Sequence, residues 1–132
     1  MDRLAAGTKW IMLISGALTC TMFRALITPE AVLRDGFGET LSGPLAEIVV
    51  RNWGALIGIV GLMLIYGAFN HAVRPLVLGV ACLSKMVFIG LILTYGRQFL
   101  GHQILIAVIA DTVMIVLFMG WFVSRARAGT AL

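Results

Sequence analysis

Residues 76 to 95 read LVLGVACLSKMVFIGLILTY, an apolar run with one charge, Lys85, near its middle. A helix needs roughly 20 predominantly apolar residues to cross about 30 Å of hydrocarbon. In that medium the backbone satisfies itself only as a helix or a closed barrel. The run therefore predicts a membrane-crossing helix with an ammonium group inside it. An unpaired charge at that depth costs about 2.5–3.5 kcal/mol even on lenient insertion scales. The chain must supply a partner for it.

Three further runs have the same character. They lie at about 10–27 (with Arg24 near its end), 53–69 (uncharged) and 104–123 (with Asp111 inside). The expected fold is all-α, an integral membrane four-helix bundle forming a single domain over 1–132, with spans at about 10–27, 53–69, 76–95 and 104–123. Composition agrees: the 132 residues are 61% hydrophobic and 12% charged, against about 45–50% and about 25% in soluble domains. Ten Lys+Arg against six Asp+Glu give a net charge of +4. The basic residues are scattered, which suits lipid headgroups and not nucleic acid. The lipid bilayer is thus the first expected partner.

The first run resembles a signal peptide in length, but Arg24 and the lack of an A-x-A-like site after it predict retention as a true span. Between spans one and two lies a longer loop, broken by Pro29, by Gly36 and Gly38, and by Gly43-Pro44. Pro44 ahead of Leu45 to Val50 predicts the start of a short helix feeding span two. Part of this loop is expected to cap one end of the bundle. Residues 71–75 and 96–103 form the two short connections. Cys20 and Cys82 sit in apolar runs at different expected depths, so they read as buried small hydrophobes and not as a disulfide.

The flanks set an orientation. Arg3, Lys9, Arg74, Arg125 and Arg127 fall on one side, and Arg24, Arg34, Arg51 and Arg97 on the other. The positive-inside rule then places both termini in the cytoplasm, with dual topology left open. In span two, Gly54, Gly58 and Gly61 form a small-residue face for close helix packing, either within the bundle or in a homodimer. Trp10, Trp53 and Trp121 read as interfacial anchors.

Lys85 and Asp111 lie on antiparallel neighbours, so their depths can be counted from the same connection. They come out at about 16 and about 12 Å. One helical turn separates them, which a lysine stem spans. Ala81, Cys82, Phe88 and Ile89 share the Lys85 face; Ala107, Val108, Met114 and Ile115 share that of Asp111. In span one, Ala17, Cys20 and Thr21 fall on the Arg24 side as a mildly polar stripe. Two accounts of the pair compete. Either it is closed on itself and fixes register, or with Arg24 and Arg51 toward the mouth it lines a cavity for a ligand or protons.

Enzymatic templates are missing. The sequence contains no HExxH, GxSxG, CxxC or GxGxxG motif, and His71 and His102 fall in loops on opposite sides. No catalytic residue, metal site or cofactor is expected.

Arg51-Asn52-Trp53-Gly54 entering the glycine-rich second span, Asp111-Thr112-Val113 in the fourth, and the order of one span, a longer loop and three close spans resemble the DoxX-like superfamily of small bacterial four-helix membrane proteins. The resemblance implies a four-helix bundle in a bacterial inner membrane and an accessory role beside membrane redox enzymes. It assigns no catalytic residue, and Lys85 has no place in its pattern. The expected function is a non-enzymatic membrane protein that binds a lipid or small amphipathic ligand around Lys85 and Asp111. The alternatives are an accessory subunit of a larger, quinone-linked membrane complex and a small proton-coupled transporter using Asp111.

Overall fold

Helix starts and stops follow the proline and glycine punctuation more closely than the hydropathy. The computed structural model describes residues 2–130, with side chains from 6 to 128; the side chain of Arg3 falls outside these. Helix α1 runs Asp2–Cys20 and, after a turn at Thr21 and Met22, continues as α2, Phe23–Ile27. Helix α3 is Pro29–Phe37, α4 is Pro44–Phe69, α5 is Arg74–Tyr95 and α6 is Ile104–Thr130. A short 3-10 turn, Arg97–Phe99, leads from α5 toward α6. Four of these segments, Ala6–Ile27, Pro44–Phe69, Arg74–Tyr95 and Ile104–Ala128, are long and apolar enough to cross a membrane.

The first segment is not one straight helix. Thr19 Oγ1 donates to the Ser15 carbonyl and Thr21 Oγ1 to that of Leu18, while the backbone amides of Thr21, Met22, Arg24 and Ala25 each bond three residues back. Hydroxyl back-bonding and a tightened turn are ordinary causes of a helix break. The second segment is longer than its apolar run, beginning at Pro44 and not near Trp53. Helix formation there needs only a proline in the first turn behind Gly43, and hydropathy has no say in it. At 26 residues α4 measures about 39 Å, longer than the roughly 30 Å that a hydrocarbon layer is thick, and Glu47 and Arg51 lie in its first turns.

The glycine face of α4 is used within the chain. Antiparallel α1 and α2 lie along it, with Ala25 on Gly54, Phe23 on Gly58 and Cys20 on Gly61. A Cβ on Gly61 would come within 2.7 Å of the Cys20 nitrogen and 2.8 Å of the Gly16 carbonyl, closer than side chains tolerate. Helices α4, α5 and α6 follow as antiparallel neighbours, and α6 meets α1 only lightly, completing a four-helix bundle. Asp2 and Thr130, the first and last described residues, therefore lie at the same end of the bundle.

Two solid cores fill the interior. One joins Met12, Leu64, Ala68, Leu78, Cys82 and Phe118 toward the terminal end. The other joins Ile92, Ile104 and Val108 with Phe37, Phe88 and Phe99 at the opposite end. Helix α3 brings Phe37 there, closing on a left-handed Gly38 at φ 71° whose amide bonds the Arg34 carbonyl. Phe37 stands edge-on to Phe99 at 5.2 Å and tilted to Trp53 at 6.3 Å. The expected capping of one bundle end is this aromatic cluster. Outside, the helices are as apolar as within: only 22–33% of each candidate span is covered by the rest of the chain.

Candidate functional site

Lys85 and Asp111 meet between the two cores. Lys85 Nζ lies 2.8 Å from Asp111 Oδ1, with the side chains 6% and 20% exposed. The depth count from the connection at 96–103 therefore identified the partner. The flanking residues fall as expected, with Ala81, Cys82, Val108 and Met114 buried on the facing sides. Ammonium and carboxylate thus satisfy each other in a charge-assisted bond, and the low dielectric that makes either alone expensive strengthens the pair.

A third group completes the arrangement. Lys85 Nζ also donates to Thr19 Oγ1 at 3.4 Å, and the Thr19 hydroxyl in turn donates to the Ser15 carbonyl at 2.7 Å. Thr19 escaped the sequence reading, which placed the polar stripe of span one on Ala17, Cys20 and Thr21. The face turned inward is Thr8, Met12, Ser15 and Thr19, all buried. Their spacing of four, three and four residues is a helix face, a signal present in the sequence. Cys20 instead turns to α4, its thiol donating to the Gly58 carbonyl at 3.7 Å. Both cysteines are free.

Beside the pair opens a cavity of about 300 Å³. Its polar wall holds Thr19, Thr21, Ser84, Lys85, Gln103 and Asp111; Ile57 and Val60 of α4, Phe88 of α5 and Met114 of α6 supply apolar surface. Trp53, half-buried against Phe37, lines it as well. Leu18 and Ile106 also border the cavity yet are 53% and 69% exposed on the outer faces of α1 and α6. Exposed Thr21 and Gln103 border it too, so the opening runs along the flank, on the seam where α1 and α6 barely meet, as far as the connection before α6.

Arg24 and Arg51 are not brought to this cavity. Arg24 pairs with Asp35 of α3 at 2.8 Å, both well exposed. Arg51 pairs with Glu47 one turn earlier on α4 at 2.8 Å and also donates to the Leu26 carbonyl. Each finds an acid in or next to the longer loop, so neither faces Lys85. Arg51 instead borders a shallow hollow with Glu30, Arg34 and Leu41. Arg74, read as a loop cation, is 2% exposed. It opens α5 and donates to the Gly67 and Ala68 carbonyls at 3.2 and 2.9 Å. Among the described residues, no three His, Cys, Asp or Glu side chains stand close enough to share a metal ion.

No family model, curated protein or solved structure matches this chain. Its function has to be argued from the cavity itself.

Proposed function

We propose that the chain is an integral membrane protein, without enzymatic activity of its own, that binds a lipid or small amphipathic ligand in the cavity beside Lys85 and Asp111. The observation that carries this is the flank opening. A cavity with a buried ion pair in its wall is bordered by exposed Leu18 and Ile106 on the flank of the bundle, beside the aromatic cluster of Phe37, Trp53 and Phe99. A molecule dissolved in the surrounding hydrocarbon reaches such an opening directly. The membrane itself is supported by the large apolar faces that the bundle leaves uncovered, far beyond the patches that monomeric soluble proteins expose. A bacterial inner membrane, cytoplasmic termini and membership of the DoxX-like superfamily belong to the same proposal. They rest on the flanking charges, on the span order and on the two short motifs at Arg51 and Asp111. Because Gly54, Gly58 and Gly61 are occupied by α1 and α2, an accessory-subunit role needs a different contact face.

Mass spectrometry of the protein extracted in mild detergent tests the reading. A co-purifying lipid or small amphiphile is expected, and its loss in both Lys85→Met and Asp111→Asn. If both variants fold and carry the same molecule at the same occupancy, the cavity is not its site.

A further inference from the structure

The charges around the cavity also select among amphiphiles. The following rests on the binding reading above. Lys85 is bonded to Asp111 and reaches Thr19, so the ammonium is already engaged and the pair has no net charge. The two partners are not equally accessible: the Asp111 side chain is 20% exposed and that of Lys85 6%. With Oδ1 turned to Lys85, an entering molecule meets a carboxylate, which accepts hydrogen bonds and donates none. Its complement is a neutral donor, a hydroxyl or an amide N–H.

Charged head groups fit less well. An anion would be held against the Asp111 carboxylate in a medium of low dielectric, where like charges repel strongly. A cation would share Asp111 with Lys85 and leave a net buried positive charge. Most of the remaining wall is aliphatic or aromatic, from Ile57, Val60, Phe88 and Met114, and suits a hydrocarbon body; the Thr21 and Ser84 hydroxyls and the Gln103 amide are its other polar groups, and none of them carries a charge. A volume of about 300 Å³ is at the small end of ligand sites and suits one chain better than two. We infer that the cavity takes a neutral single-chain amphiphile whose hydroxyl or amide group donates to Asp111, and that it discriminates against the corresponding anion.

Trp53 lines the cavity and reports on it directly. In full-length protein carrying Trp10→Phe and Trp121→Phe, Trp53 is the only tryptophan left. The probes are brominated dodecanol and brominated dodecanoate, titrated into nanodiscs at a pH alkaline enough to ionise the acid. Saturable quenching by the alcohol is expected, with at least about tenfold tighter binding than the acid, equivalent to about 1.4 kcal/mol. In Asp111→Asn the order should reverse, because Lys85 is left without its carboxylate. Equal or tighter binding of dodecanoate to the parent protein would overturn the inference while leaving cavity binding intact. A folded Asp111→Asn that keeps the parent order would overturn it too. If neither probe quenches Trp53 saturably, cavity binding itself falls and the inference with it. The parent ranking decides the matter even if Asp111→Asn does not fold.

Discussion

Lys85 and Arg74 are both cations buried in α5, 5% and 2% exposed, and the chain neutralises them in different ways. Arg74 sits at the first turn of its helix and donates to the last carbonyls of α4. Those groups lack intrahelical partners and carry the negative end of the helix dipole. Its guanidinium fork ties two helices together at a corner adjoining Ala68 and Val77 in the solid core. Lys85 lies three turns further on, paired with a carboxylate from the next helix, and one side of that pair borders empty volume. A cation serving structure alone can be enclosed completely by carbonyls and packed side chains. A pair left facing a cavity keeps an acceptor available to something else.

The largest test of this contrast is a double-mutant cycle at the ion pair. Lys85→Met and Asp111→Asn are each expected to lower unfolding stability by about 3–5 kcal/mol, since each strands the other partner. The double variant should lose much less than their sum. Unfolding in detergent measures this, and near-additive losses would show that the two side chains are not coupled. A smaller loss, about 1–3 kcal/mol, is expected for Arg74→Met, which leaves the Gly67 and Ala68 carbonyls without their donor. Dodecanol quenching of Trp53 should be unchanged in that variant. If it weakens, the two cations are not separate in role and the contrast fails. Thr19→Val should cost least, about 0.5–1.5 kcal/mol net for losing both the bond accepted from Lys85 and the helix-internal one given to the Ser15 carbonyl, with the Lys85–Asp111 pair retained. An unaltered melting profile would make the 3.4 Å contact incidental.

What the sequence discloses about this molecule depends on where each partner lies along the chain. Lys85 and Asp111 are joined by a short connection between antiparallel helices, so helical rise alone puts them at matching depth. Pro44 marked the start of α4 for a similarly local reason. Arg24 was harder to place because its acid, Asp35, belongs to α3, whose position is undefined until the loop folds; Glu47 stands one turn before Arg51 on α4, a spacing visible in the sequence but outside a span begun at Trp53. Arg74 was misplaced because hydropathy treats a cation next to a proline as a solvated turn. The carbonyls that hold it belong to the backbone of α4 and have no signature in side chains. The inward face of α1 is marked in the sequence by Thr8, Ser15 and Thr19, but the break at Thr21 and Met22 puts Arg24 on a separate helix, so its face does not continue theirs. The cavity lies beyond any such pattern, because it is the space that Phe88, Met114 and their neighbours leave unfilled.

The chain reaches Lys85 26 residues before Asp111 during synthesis. On the membrane reading, α5 leaves the ribosome carrying an ammonium group whose counter-charge has not yet been made. Entering the bilayer alone, that helix would bear the full penalty of an unpaired cation. Entering together with α6 as a hairpin, it is neutral from the start. The short turn at Arg97–Phe99 keeps the two charges within one such unit. On that reading the Lys85–Asp111 bond favours entry of α5 and α6 as a pair, a consequence for assembly beyond the register it sets.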